Sequence, residues 1–321
     1  MGSVDHSRIH EDLLTFSLTV KLRVAQDSYL YIGSASPTIK FRNTPDWNRV
    51  NRLVSQERFN ELVQESLRLL SMAQASESVA EAPVIVGSSL KGSVRSRLEL
   101  LVNSRKWSEK LGLIPCFSVS VEFLPPSLRP GMHGYRHSKI WPEAPWRDRR
   151  RGPCGNCLLC NMFGYTTKRG AFKSRVWFGT FEVETKTSCT EQLNLDTGEQ
   201  IEAVRPNTVF KGKIVFVNMT PPEVGLVFFG LKLNMKKPLL LGKYKYRLPR
   251  SGGRPVKFGR VYVEATDKID FHPLCKAATT TSVPKFVESM IEESKKTYGE
   301  SFYWDWDEVS KLEELWRQEK Q

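Results

Sequence analysis

The chain has 321 residues, 40% of them hydrophobic and 11% aromatic, which suits a globular protein of one large or two ordinary domains. No apolar run approaches the ~20 residues a membrane helix needs, and residues 1–11 carry no signal-peptide apolar region, so no membrane and a cytoplasmic location are expected. The formal net charge is +13, yet residues 286–321 hold 10 acidic and 5 basic residues, so the body before them is more basic still and calls for a polyanion such as RNA or DNA.

Phe16, Leu18, Val20, Leu22 and Val24 alternate with Ser17, Thr19, Lys21 and Arg23, the pattern of a half-buried strand. Residues 27–37 are rich in Gly, Ser and Ala and read as a loop. Phe59, Leu62, Val63, Leu67 and Leu70 mark a helix. A small-residue link then leads to Gly87-Ser88-Ser89-Leu90-Lys91-Gly92-Ser93-Val94-Arg95, where Ser88 or Ser89 is a natural N-cap. Leu90, Val94, Leu98 and Leu101 bury one helical face, while Lys91 and Arg95 lie four apart on another. Backbone N–H groups, the helix dipole, hydroxyls and two cations converge there, which is what a phosphate needs. The bland alternative is a capped helix with a solvated basic face.

Phe117, Val119, Val121 and Phe123 predict a second strand, and residues 125–153 read as a long irregular insertion. Residues 176–183 and 209–217 predict further strands. Between them, the turn signal Asn194-Leu195-Asp196-Thr197-Gly198 predicts a projecting hairpin. Residues 230–241 mix helix and strand signals, 242–259 form a basic glycine-rich loop, and 260–264 return as a strand. Short helices are expected near residues 286–291 and 309–316, with Phe302, Tyr303, Trp304 and Trp306 between them. Those rings among acidic residues suit a docking patch for a basic neighbour, or else cover the chain's own core. The order of elements suits an α+β domain, ferredoxin-like with long insertions.

The strongest chemical signal is Cys154-Gly-Asn-Cys157-Leu-Leu-Cys160. Two C-x2-C steps place three thiolates on one tetrahedral ion, and His137 or His133 is nearest in sequence as fourth ligand. A structural zinc is the main reading. A zinc deaminase shares P-C-x-x-C but needs an H-x-E that His133 and His137 do not provide. An iron–sulfur cluster and no metal at all are the remaining alternatives. The second signal is Ser251-Gly252-Gly253-Arg254-Pro255-Val256-Lys257-Phe258-Gly259-Arg260, preceded by Lys243, Lys245, Arg247 and Arg250 with Tyr244 and Tyr246 interleaved. Glycines admit a phosphate, cations hold it and aromatics stack bases, unless the run is only a solvated hairpin. No nucleophile elbow, H-E-x-x-H or P-loop is present.

Four stretches together resemble the RAMP superfamily, the backbone subunits of type III CRISPR effector complexes. They are Tyr31-Ile32-Gly33-Ser34 with Pro37, Val86 through Arg95, the three cysteines with Phe163-Gly164, and Leu241-Gly242 through Phe258-Gly259-Arg260-Val261. The resemblance spans roughly residues 15–264. It implies a ferredoxin-like (RRM-type) palm with a zinc knuckle and a projecting thumb hairpin. The implied division is a RAMP domain over 12–270, with the knuckle in 125–165 and the thumb in 185–207; an acidic, aromatic helical extension over 271–321 is expected outside the resemblance. It further implies that Gly33, Ser34, Ser88, Ser89, Lys91 and Arg95 face a guide-RNA (crRNA) backbone, with Gly252, Gly253, Arg254, Lys257, Gly259 and Arg260 nearby. The implied partners are crRNA, target RNA and other RAMP subunits of one ribonucleoprotein. Target-cutting members carry an Asp where this sequence has Ala35. The expected role is therefore a non-catalytic crRNA-binding subunit in antiviral defence; the alternative is an endoribonuclease using Asp27 or Asp46.

Overall fold

The computed structural model describes residues 8–33, 38–41, 46–73, 78–79, 82–111, 114–116, 129–130, 133–142, 154–167, 170–184, 189–275 and 282–319. The expected strand at 117–123 lies outside them. In chain order the main elements are β1 (Leu14–Val24), α1 (Trp47–Ser55), α2 (Phe59–Leu69), β2 (Ala82–Ile85), α3 (Gly87–Leu100), α4 (Ser104–Leu111), α5 (His133–Ile140) and α6 (Leu158–Phe163). There follow β3 (Val176–Phe178), β4 (Phe181–Val183), β5 (Thr190–Asn194), β6 (Gln200–Val204), β7 (Val209–Met219), α7 (Pro221–Leu231), β8 (Leu239–Leu240), β9 (Arg260–Phe271), α8 (Val283–Tyr298) and α9 (Glu308–Gln318).

The alternation read in β1 sets the architecture. Its even-numbered apolar residues are buried and, from Ser17 on, its odd-numbered polar ones are not, so one face must be covered. β1 lies inside a large antiparallel sheet ordered β8-β9-β1-β7-β4-β2, with β3 also paired to β7 and Ser78–Val79 beyond β2. Leu18 stands opposite both Ile214 and Ile269, which puts all three on the covered face. Phe16 stacks on Phe216 at 4.5 Å and meets Phe286 of α8 edge-on at 5.5 Å. Phe228 of α7 meets Phe216 at 5.6 Å. No helix among the described residues is long and apolar enough to cross a membrane.

α7 had no periodicity to reveal it, because nearly every residue in it is buried. At its start Pro221 and Pro222 follow Thr220, whose N–H donates to Glu223 Oε2 at 2.8 Å. Gly225 allows α7 to touch α8 backbone to backbone; a Cβ there would lie 1.9 Å from the Met290 carbonyl oxygen.

The C-terminal rings cover this chain's own core. Phe286, Val287, Tyr298, Phe302, Leu312 and Trp316 belong to the same buried cluster as β1, and Tyr303, Trp304 and Trp306 pack against it. Glu308 locks α9 down: its Oε1 accepts from Arg97 Nε at 3.1 Å and Lys232 Nζ at 2.9 Å, all three groups at most 3% exposed.

The hairpin expected to project lies flat instead. β5 and β6 pair, and Leu193, Leu195, Ile201 and Ala203 pack with Tyr31, Tyr244 and Phe258 in a second small core. An apolar face on a two-stranded ribbon demands cover, and the loop between β8 and β9 provides it.

Candidate metal centre and nucleic-acid interface

Four cysteine sulfurs, of Cys116, Cys154, Cys157 and Cys160, all lie within 4.8 Å of one another. Cys116 Sγ is 3.6 Å from Cys157 Sγ and 3.3 Å from Cys160 Sγ. A tetrahedral zinc with Zn–S bonds of about 2.3 Å has sulfur–sulfur edges of about 3.8 Å, so the set fits such an ion. The fourth position falls to Cys116, where sequence distance pointed to His137 or His133. His137 sits elsewhere, buried edge-on against Tyr246 at 5.1 Å, and the His133 side chain lies outside the described residues. Cys116 is 38 residues from Cys154 in the chain, and no C-x2-C spacing announces it.

The surroundings favour a thiolate at Cys160. The Cys157 N–H donates to Cys154 Sγ at 3.3 Å and the Cys116 N–H to Cys157 Sγ at 3.4 Å. Hydrogen bonds from the Cys116 and Cys157 thiols, with Arg95 alongside, depress the Cys160 pKa, while holding that shared proton pushes Cys116 up. Arg95 Nη2 reaches Cys160 Sγ at 3.4 Å, Nη1 donates to the Gly164 carbonyl at 2.8 Å, and Nε pairs with Glu99 at 2.9 Å. Its guanidinium therefore faces the cysteines rather than the open start of α3.

That start differs from its reading. Val86, not a serine, occupies the N-cap position, and it makes no side-chain cap bond. Gly87 is pressed onto the sheet; a Cβ there would lie 1.9 Å from the Phe178 carbonyl oxygen. Ser88 is exposed and Ser89 half-buried. Lys91 is half-buried beside them, and burial followed by the Arg95 charge holds its amine below the usual lysine range. The first turn of a helix has N–H groups without intrahelical acceptors, so an anion is favoured at this point.

The glycine-rich loop divides into two parts. Gly252, Gly253 and Arg254 form an exposed turn. Lys257 Nζ lies between Asp27 Oδ2 at 2.7 Å and Glu313 Oε1 at 3.0 Å; burial opposes its charge, but these bonds raise its pKa overall. Arg260 is 2% exposed, with its guanidinium 4.8 Å above Trp316 of α9 and its pKa lowered by burial. It is closed off from any ligand in solution. Gly259 is buried too, with its N–H donated to the Tyr29 carbonyl at 2.7 Å. Tyr244 and Tyr246, read as stacking rings, are 3% and 5% exposed and belong to cores. Gly33 is exposed beside this loop, and Ser34 and Ala35 lie outside the described residues.

Both candidate aspartates have structural occupations. Asp27 is held by Lys257; burial raises its pKa, but the bond and charge of Lys257 bring it below the ordinary value. Asp46 caps α1, accepting from the N–H groups of Asn48 at 3.1 Å and Arg49 at 3.2 Å.

The family model for RAMPs, the RAMP superfamily, matches residues 27–270, a span that contains the α3 start, all four clustered cysteines and the glycine-rich loop. No curated protein matches the sequence significantly. Among solved structures, a crystal structure of Csc2 from Thermofilum pendens is similar over 97% of this chain and 83% of its own, at 16% identity and a TM-score of 0.38. That likeness is too loose to carry an argument.

Proposed function

Because the chain belongs to the RAMP superfamily by its match over residues 27–270, we propose that it is a non-catalytic crRNA-binding backbone subunit of a type III CRISPR complex. It stacks with other RAMP subunits along crRNA and target RNA. The sheet supports a ferredoxin-like palm: β9, β1, β7 and β4 lie side by side, antiparallel, and α3 and α7 follow β1 and β7 in the chain. The four sulfurs support one structural zinc, held by Cys116, Cys154, Cys157 and Cys160. The zinc would tie the 154–164 segment and Cys116 to α3 through Arg95.

The observation that carries the RNA reading is the α3 start. Gly87 seats the helix on the sheet, and the first turn, with Ser88, Ser89 and Lys91, lacks a side-chain cap. Gly33 and the Gly252–Gly253–Arg254 turn are exposed and extend that reading. Arg95 and Arg260 are left out of the phosphate contacts because their guanidiniums are engaged inside the protein. Lys257 contributes only in competition with Asp27 and Glu313.

Backbone contacts carry no base information, so Lys91→Ala should weaken binding equally for unrelated single-stranded RNAs. It should also flatten the dependence of log affinity on log salt by about one unit. Fluorescence anisotropy with two spacer sequences across a salt series measures both. Wild-type affinity and slope in Lys91→Ala would overturn the reading.

A further inference from the structure

The exposed aromatic that accompanies cations is not in the glycine-rich loop but on the open face of the sheet. Trp177 is 44% exposed and its cross-strand partner Val215 is 37% exposed. The indole is held in place, its Nε1 donating to the Ser174 carbonyl at 2.5 Å. Lys173 Nζ stands 4.4 Å from the ring centroid. Lys213 and Lys211 continue the same face of β7 at two-residue steps from Val215, and both are exposed.

The charges on this face are unevenly matched. Towards β9, Arg23 pairs with Glu264 at 2.7 Å and Lys268 with Asp270 at 2.8 Å, while Lys21 of β1 reaches across to Glu184, just after β4, at 2.7 Å. Around Trp177 the balance changes. Among the described residues none of Lys173, Lys211 and Lys213 makes an ion pair within 4 Å; Glu182 stands opposite Lys211 in register, and Asp270 feels the Lys213 charge. A fixed exposed ring with surplus amines at strand spacing suits a single strand of nucleic acid, whose bases stack while its phosphates meet cations.

Position adds a second argument. The backbone of Phe178, next to Trp177, is what Gly87 presses against at the α3 start. A strand held at that start therefore meets the sheet edge one residue from Trp177. We propose that the Trp177–Lys173–Lys211–Lys213 face is a second binding surface for single-stranded RNA, on which a base stacks on Trp177. This rests on the RNA-binding reading above but uses different residues.

The full-length chain tests it by anisotropy with a fluorescein-labelled single-stranded RNA. Trp177→Ala should weaken binding about ten-fold and Trp177→Phe should restore most of it. Replacing Lys211 and Lys213 together by Ala should flatten the salt slope by about two units. RNA carrying 4-thiouridine should photocrosslink to the peptide containing Trp177. If Lys91→Ala weakens binding while the sheet-face variants and the crosslink show nothing, the second surface is overturned and the α3 reading stands. The reverse pattern supports the surface and overturns the α3 reading. If Trp177→Ala leaves RNA affinity intact but blocks association with another protein subunit, the face is a protein interface and the proposal is wrong.

Discussion

Arg95 serves three acceptors at once: a sulfur of the cysteine cluster, the Gly164 carbonyl and the buried Glu99 carboxylate. A four-thiolate zinc site carries net negative charge, and a guanidinium against one sulfur offsets part of it. Arg95→Ala should lower zinc affinity by about 10–100-fold, read by competition with a chelator. Cys116→Ser should lose the metal from purified protein, whereas His137→Ala should retain one zinc per chain. Equal metal content in all three would show that the cluster is not a zinc site. Lys245 offers a different test. Burial depresses its pKa to about 8, with Glu308 only partly offsetting it. The unfolded chain then binds more protons than the folded one between pH 8 and about 10.5, so this group's contribution to stability rises with pH through that window. Below pH 8 the folded state carries the full cost of the buried charge. Urea titrations of wild type and Lys245→Met at pH 7.5 and 9.5 should differ in their pH dependence by on the order of 2 kcal/mol. Parallel curves would mean that the amine reaches water.

At the scale of elements, α9 works as a strap across the basic loop. Glu313 takes part of the charge of Lys257 and of Arg260, Trp316 lies under Arg260, and Glu319 grips Arg136 of α5, with Nε to Oε2 at 2.9 Å. An acidic helix on a basic loop competes with any phosphate for the same cations. Glu313→Ala should therefore raise RNA affinity about two- to five-fold near 0.1 M salt and steepen the salt slope by up to one unit. Lower affinity in that variant would mean that the strap shapes the loop instead of screening it. The β5–β6 hairpin belongs to the same assembly. It is bound to the loop through Tyr244, whose hydroxyl meets Glu199 at 3.0 Å, and through the Leu195–Ser251 bridge.

For the whole molecule, Glu308 is where α3, α7 and α9 meet. Burial raises its pKa, but Arg97 and Lys232 outweigh that and keep it ionised. Glu308→Ala leaves buried Arg97 without its counter-charge and Lys232 with only Asp307 at 3.6 Å, and should cost about 3–5 kcal/mol in urea unfolding, far more than an exposed pair such as Arg23–Glu264. A loss below about 1 kcal/mol would mean that the core opens to water around Arg97 and Lys232. This junction also explains why the tail cannot be treated as an appendage: its rings and its buried carboxylate complete the core that the sheet begins.

Some of this was legible without coordinates. The alternation in residues 16–24 marked a strand with one covered face, because the pleat alone decides which side chains point together. Leu90, Val94 and Leu98 marked the buried face of α3, and the C-x2-C steps marked three of the four clustered cysteines, since both signals are local and periodic. What was not local needed the tertiary structure. Cys116 joins the cluster only because the fold carries it there. Arg95 and Arg260 looked like phosphate ligands by residue type, but one guanidinium is turned to the sulfur cluster and the other is buried over Trp316 beside Glu313. The tyrosines of the loop, read as stacking rings, are buried while Trp177 of β3 is exposed, because burial depends on which surfaces meet, and a single strand does not record what will cover it.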